Sequence, residues 1–516
     1  DIPTVNASTL FAAGSNFTSK DAYRIISNFG RASYDFDRRF LMTLVYRMDG
    51  ISSLAADNRW GFFPGMSLGW NLHNEPFFQS SSLSNYLSTF KPRVSYGVNG
   101  NVAGIGNYEV QGSYGTQGNY NGSLGFLNTG VINSGLRWEK SKTVDIGLDL
   151  GLFDNRLTLI MDYYDRRTSD LLTNLTLPSY TGFSSLRTNL GTFQNSGLEI
   201  SATASALKAA NGLALDLSGN ITFNQNKILQ LPFNGNENNR QGGFQVYDPG
   251  QGKVVWVGGL QEGQSLGDIY AFQQLSIFQN EAEVQQVAGR RWDAVGNISG
   301  PELSSGGGKI TPGDVNWLDV DRNDTIDSRD QVYIGNINPK FFGGFSANLS
   351  FKGFRLYGRF DLAVGHTLYN DMMARIVGNY QGTFNNLSLI KQGFSGDNSN
   401  PNIMKVYWAD QVGAPNGKKN LTRINNAGQV LNGNNSYYYE RGDYIGCREI
   451  TLSYDFNKML MERSRVFSQV TVYMNVNNLF YITKFTGNSP EPKGNGIFAG
   501  NYPTPRSFVF GIQTTF

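Results

Sequence analysis

The sequence predicts an all-β chain, a transmembrane antiparallel β-barrel, and three features of its 516 residues carry that prediction. Alternating apolar and polar runs, each about ten residues long, recur in pairs joined by short turns. No stretch approaches the roughly 20 apolar residues that a spanning helix needs. Only 40% of residues are hydrophobic, yet Gly (61), Tyr (26) and Phe (35) are abundant. That balance suits a barrel, in which every second strand residue meets lipid and aromatic girdles ring both interfaces. It also explains a negative mean hydropathy.

The clearest pair of runs spans 138–152 and 156–165, joined by Phe153, Asp154 and Asn155. Val144, Ile146, Leu148, Leu150 and Leu152 share one face of the first run, and Thr143, Asp145, Gly147 and Asp149 the other. In the second, Leu157, Leu159, Met161 and Tyr163 alternate with Thr158, Asp162 and Tyr164, with Ile160 the one breach. A soluble sandwich buries such an apolar face in a core, whereas a membrane barrel turns it to lipid and keeps the polar face for a wet lumen.

Applied along the chain, alternation and turn signals place about thirteen strands. The first eight lie near 22–36, 40–50, 60–73, 91–99, 138–152, 156–172, 193–206 and 213–229. The last five lie near 340–351, 354–368, 443–456, 466–479 and 506–516. Short turns (Asp37-Arg38-Arg39, Asp154-Asn155, Ala209-Ala210-Asn211-Gly212, Lys352-Gly353) alternate with long loops at 100–137, 173–192, 230–339, 369–442 and 480–505. Barrels of this kind have short periplasmic turns and long extracellular loops. Two periplasmic connections, 74–90 and 457–465, are long enough for a helical turn or two.

On this assignment both the first and the last strand run inward. A closed bacterial single-chain barrel has an even strand number, so a preceding segment is expected to supply further strands. No basic and apolar leader opens the chain at Asp1, Ile2 and Pro3. The numbering is therefore expected to begin after processing or partway through a longer protein. A net charge of +2 gives no electrostatic case for nucleic acid. The single Cys447 permits neither a disulfide framework within the chain nor a zinc cluster.

Short motifs then add a family resemblance. They begin with Phe29-Gly30-Arg31 and Tyr34, Asp49-Gly50-Ile51-Ser52-Ser53, and Arg59-Trp60-Gly61-Phe62-Phe63-Pro64. Tyr96-Gly97-Val98-Asn99-Gly100-Asn101, Leu136-Arg137-Trp138-Glu139-Lys140 and Asp162-Tyr163-Tyr164-Asp165 follow. The later ones are Asn195-Ser196-Gly197-Leu198-Glu199, Gly335-Asn336-Ile337-Asn338-Pro339-Lys340, Asn477-Asn478-Leu479-Phe480 and Tyr502-Pro503-Thr504-Pro505-Arg506. With these motifs the chain resembles the carboxy-terminal half to two-thirds of SusC/RagA-type TonB-dependent transporters of Bacteroidota outer membranes. The resemblance implies a plugged barrel of roughly 22 strands, about nine of them upstream of Asp1. It also implies an amino-terminal plug, a TonB box and a SusD-like surface lipoprotein acting as a lid, with oligosaccharides or peptides as substrates. None of the plug, TonB box or early strands is visible in this sequence.

Four sets of residues are candidates for function. Asp319, Asp321, Asn323, Thr325, Asp327 and Asp330 fall at positions 1, 3, 5, 7, 9 and 12 of a calcium-type loop, Thr325 through its backbone carbonyl. Asp324 replaces the turn glycine and Asp330 the bidentate Glu. The expected role is structural Ca2+ binding, against a plain acidic turn held by side-chain–backbone bonds. Asp145, Asp149, Glu199, Arg355, Arg359, Asp361 and Glu449 are expected on the lumen face. There they either tune passage or pair with one another and with a plug. Tyr108, Tyr114, Tyr120 and Phe126 share a loop in which aromatic faces could hold sugar rings or peptide side chains. Tyr437, Tyr438 and Tyr439, just before a strand, are expected in an outer interfacial belt.

Phe516 ends a strand whose Phe508, Phe510 and Ile512 share its face, and the resemblance implies a barrel-insertion signal read by the assembly machinery. The only histidines, His73 and His366, are expected at strand ends, and no catalytic spacing stands out. The expectation is an outer-membrane nutrient importer and not an enzyme. Its leading alternative is a SusC-like barrel scaffolding an assembly or secretion complex, and a third option is an ungated porin.

Overall fold

The computed structural model of the chain describes residues 21–112, 114–120, 123–128, 130–177, 179–287, 291–292, 311–378, 387–405, 435–456, 466–500 and 502–516. Its main element is an antiparallel meander in which each strand hydrogen-bonds to the next in chain order. The first seven strands are β1 (Ile25–Phe36), β2 (Phe40–Ile51), β3 (Gly65–Trp70), β4 (Leu87–Asn101), β5 (Glu139–Leu152), β6 (Leu157–Ser169) and β7 (Thr192–Lys208). The remaining six are β8 (Ala214–Gln230), β9 (Phe341–Phe351), β10 (Phe354–Val364), β11 (Tyr444–Asp455), β12 (Gln469–Thr483) and β13 (Ser507–Thr515). Every strand expected from the sequence is present.

One expected strand is broken. The run 60–73 divides into Trp60–Phe62, which pairs with the far end of β2, and β3. Pro64, which has no N–H to give a ladder, and Phe63, turned into a core, separate the two. The short turns use left-handed backbone as hairpins require. Lys352 (φ 47) and Gly353 (φ 91) join β9 to β10, and Asp37 and Arg38 (φ 53 each) join β1 to β2. Between β3 and β4 the expected helical turns are present at Leu72–Asn74, Pro76–Gln79 and Ser82–Asn85. The connection 457–465 lies outside the described residues.

Two compact units are distinguished: residues 1–200, 224–240 and 261–264, and residues 201–223, 241–260 and 265–516. Within the first, the register lines up Leu44, Met66, Tyr96 and Val144 across four strands, and Leu68, Val94, Ile146 and Tyr163 beside them. All eight are between 40% and 56% exposed. Within the second, Leu349, Leu356, Leu452, Met474 and Phe510 form one row, with Leu349 at 39%, Leu452 at 47% and Phe510 at 72% exposed. Contiguous apolar rows of this length rarely stay uncovered in a water-soluble chain. On a transmembrane strand they are the lipid face.

The buried side chains lie chiefly at the long-loop ends of the strands. In the first unit Ile51, Leu54, Phe63, Val98, Leu136 and Trp138 pack together, Phe63 edge-on to Trp138 with centroids 5.3 Å apart. In the second, Phe272, Ile277, Val315, Trp317, Ile326 and Tyr438 form a core made almost wholly by loop segments. The long connections carry structure of their own. They hold small sheets of their own, such as Tyr114–Tyr120 with Ser123–Asn128, Leu172–Thr176 with Ser185–Asn189, and Phe244–Asp248 with Lys253–Val257.

Candidate functional site

The face opposite each apolar row carries the charges, and they are paired. In the first unit Arg93 (β4) and Asp162 (β6) both stand directly opposite Gly147 of β5. The Arg93 guanidinium donates Nη2 to Asp162 Oδ2 at 2.7 Å and Nε to Asp149 Oδ1 at 3.0 Å, and reaches Asp145 Oδ1 at 3.4 Å. Gly147 makes this possible: a Cβ there would sit 2.4 Å from Arg93 Cζ. Lys91 adds a second cation 3.5 Å from Asp149. Of the lumen residues expected in this unit, Asp145 and Asp149 are thus brought together, whereas Glu199 is exposed and meets no cation among the described residues.

In the second unit Arg359 and Glu449 are cross-strand partners 3.7 Å apart, and Arg355 Nη2 meets Asp455 Oδ2 at 3.2 Å. Glu449 Oε1 also accepts from Asn475 Nδ2 at 2.8 Å and from the Thr451 hydroxyl at 3.1 Å. Asp361 pairs with a residue that sequence reading missed. Arg448 donates Nε to Asp361 Oδ1 and Nη2 to Glu491 Oε1, each at 2.6 Å. Tyr444 and Tyr481 complete the cluster through Asp361 and Glu491. Arg448 is the extra residue of a β-bulge, since Phe360 pairs with Cys447 and Arg359 with Glu449. A bulge re-aims a side chain and breaks period-two counting. Strict alternation puts Arg448 on the lipid face, and only recognition of the bulge could have found it.

Beside this cluster the polar face carries a trough of about 760 Å³, lined among others by Ser218, Asn220, Gly344, Ser346, Arg359 and Asp361. Room for it comes from Ser218 and Ser346, small cross-strand partners, and from Gly344, which stands between Asn220 and Asp361.

The acidic loop is partly as expected. Oxygens of Asp319, Asp321 and Asp330 lie within 4.8 Å of one another. Arg322 (φ 57) and Asp324 (φ 59) turn the chain around them in left-handed backbone. Asn323 Oδ1 accepts from Thr325 N at 2.7 Å, so its amide lies in the same turn. Asp327 departs from the expectation. Its carboxylate caps the short helix Ser328–Asp330, accepting from Arg329 N at 2.7 Å, and it stands outside the three-carboxylate group. Asp330 is fully buried and takes backbone N–H groups of Val320 and Asp327 on its two oxygens. Burial and the charges of Asp321 and Asp319 push its carboxyl up to about 6. This is a set of three carboxylates under mutual repulsion, hard oxygen donors of the kind that calcium takes, each also accepting backbone N–H groups.

The aromatic candidates divide. Tyr114 pairs with Asn128 and Phe126 with Thr116, which sets Tyr114 and Phe126 as diagonal neighbours on one hairpin face, 69% and 62% exposed. Tyr108, also exposed, precedes the short helix Glu109–Gln111. Tyr120 closes the strand Tyr114–Tyr120, and its side chain lies outside the described residues. Tyr437–Tyr439 correct the belt expectation: Tyr438 is fully buried in the loop core, with Tyr437 and Tyr439 packed against it. Burial raises the Tyr439 hydroxyl to about 12.

His73 and His366 lie in turns just beyond strand ends. His366 is fully buried, with Nε2 2.8 Å from Pro490 O. Phe516 follows β13 directly, 81% exposed, its ring 5.2 Å from that of Phe467.

Comparison with known proteins agrees with this architecture. The family profile described as TonB dependent receptor-like, beta-barrel matches residues 2–297. TonB-dependent receptor P39 of Formosa agariphila is 29% identical over 97% of this chain and 47% of its own length. TonB-dependent receptor SusC of Bacteroides thetaiotaomicron is 26% identical over 95% of the chain and 44% of the relative. The chain therefore spans about half the length of the curated relatives it matches. Among solved structures, the RagAB peptide transporter superposes with a TM-score of 0.70 at 23% identity, over 96% of this chain and 48% of that one. At that identity the likeness is one of fold.

Proposed function

Because the chain belongs to the TonB dependent receptor-like β-barrel family, a family of outer-membrane receptors and not of enzymes, we propose that it forms the carboxy-terminal barrel portion of a SusC/RagA-type nutrient importer. The observation that supports this reading best is the division of each unit's sheet into an uncovered apolar face and a face of paired charges. The first is suited to acyl chains and the second to a hydrated passage. In the whole protein a preceding segment would supply the remaining strands and a plug. TonB, drawing on the inner-membrane proton gradient, would remodel that plug. A SusD-like surface lipoprotein would close over the long loops, and oligosaccharides or peptides would be the cargo.

Within this assembly the wall charges would line the passage and seat the plug, with Asp145 and Asp149 gathered on Arg93, and Asp361 on Arg448. The exposed ring pair Tyr114 and Phe126 would meet substrate or lid. Ca2+ held by Asp319, Asp321, Asn323 and Asp330 would order the loop core around Ile326, a structural role. Phe516 would serve as the insertion signal.

Copurification and uptake test this reading together. The tagged full-length protein should bring down a surface lipoprotein from outer membranes, and deleting its gene should abolish growth on the cognate oligomer. Stable association with assembly or secretion proteins, with uptake unchanged in the deletion strain, would replace the importer by a scaffold.

A further inference from the structure

We propose that the cleft between the loop hairpin Leu172–Thr176/Ser185–Asn189 and the residues Glu109, Gly112, Gly130 and Val131 binds an acidic sugar of the uronate type, its carboxylate on Arg187. This deepens the importer reading by naming a substrate class, and rests on it. The cleft encloses about 540 Å³, within the range of small-ligand sites. The hairpin register sets Asn174 directly opposite Arg187, with Ser185 two residues along on the same face. Glu109 also lines the cleft, and Gly112, Gly130 and Gly182 leave parts of its wall without side chains.

Arg187 is the reason to expect an anion. Its Nε is shielded from solvent and meets no hydrogen-bond acceptor among the described residues. Glu109 Oε1 forms an ion pair with it at 3.6 Å, too long for a hydrogen bond, while Glu109 Oε2 is engaged by Gly106 N at 2.8 Å. Gly104 keeps the other side of the guanidinium open, since a Cβ there would lie 3.0 Å from Nη2. A shielded donor without an acceptor is costly, and a planar carboxylate matches the guanidinium fork with two parallel bonds. A neutral sugar could offer Nε a hydroxyl oxygen but no charge, and so the weaker bond.

Two carboxylate-bearing cargoes fit a single arginine fork: a uronate and the carboxy terminus of a peptide. The rest of the lining favours the uronate. Glu109, Asn174, Ser184 and Ser185 offer acceptors and donors for ring hydroxyls. Only Val131 and Phe183 offer apolar surface for a peptide side chain. Glu109 would also repel a second carboxylate placed beside the first while accepting a hydroxyl, so a ring with one carboxylate among hydroxyls is the best match.

The test is calorimetric titration of the detergent-purified full-length protein with trigalacturonate, maltotriose and trialanine in parallel. Trigalacturonate should bind most tightly, Arg187→Gln should weaken it about tenfold or more, and Arg187→Lys should lose less because it keeps the charge. Retention of the heat-resistant folded band by both variants keeps a folding defect from imitating the effect. The proposal is overturned if maltotriose or trialanine binds as tightly, or if Arg187→Gln leaves affinity within about twofold. Absence of binding by all three, with uptake of another oligomer intact, would sink this site and leave the importer standing. Uronate binding without any uptake would sink the importer and leave the site.

Discussion

Arg93 reaches Asp162 over the top of Gly147, closing a 2.7 Å ion pair between two strands that are not neighbours. The contact exists only because β5 presents no side chain between them. Gly147→Leu should therefore split Arg93 from Asp162 and destabilise the sheet by about 2–3 kcal/mol, the scale of a lost charge-assisted bond. Urea unfolding in micelles, followed by tryptophan fluorescence, would measure it. Asp162→Asn, which keeps the shape and loses the charge, should cost less.

Arg448 should matter more. It holds a wall carboxylate, Asp361, and a loop carboxylate, Glu491, with its side chain only 19% exposed. Arg448→Met would leave both acids facing each other, and about 3 kcal/mol of destabilisation is expected. Hydrogen exchange should rise selectively in residues 484–500. Unchanged exchange there would show that the loop is held by its other contacts.

These two arginines mark how far the sequence was legible. Alternation around Val144 and Ile146, with turn residues such as Lys352 and Gly353, was enough to place all thirteen strands. For the same reason the charges of Asp145, Asp149, Arg355, Arg359, Asp361 and Glu449 could be read as sharing the face opposite the apolar rows, where the strand register puts them. Arg448 did not, because one inserted residue reverses every later assignment. Tyr438 and Trp317 were illegible for another reason: a core built from distant loop segments leaves no period in any one of them. Asp327 sat at calcium-loop spacing, and the helix cap it also makes was not legible in that spacing.

Acid should loosen the loop that His366 supports. His366 Nε2 donates to Pro490 O while Nδ1 is buried without a partner. Burial holds the imidazole below its ordinary range, partly offset by the Pro490 bond and the charge of Asp443. Tyr444 covers the ring edge-on, with centroids 6.4 Å apart. A depressed folded value means that the contribution is complete above about pH 6.5 and is lost as pH falls through the folded value. Exchange in residues 484–500, corrected for intrinsic rates, should speed up between pH 7.5 and pH 5, and His366→Gln should flatten that response.

Calcium should protect the loop core. At about one hundred times its dissociation constant, Ca2+ would add about 2.7 kcal/mol to the loop's resistance to opening. Limited proteolysis with and without chelator should show cleavage near Ile326 only when Ca2+ is removed. Asp321→Asn should abolish the difference, whereas Asp327→Asn should leave Ca2+ protection largely intact.

The most direct measurement is the accessibility of nitroxide labels in the full-length protein reconstituted in liposomes. Labels at Ile146 and Leu356 should collide with lipid-soluble oxygen, and labels at Thr143 and Ser346 with a water-soluble nickel chelate. The opposite pattern, with Ile146 and Leu356 shielded from oxygen inside a packed interior, would contradict the assignment of these strands to a membrane wall.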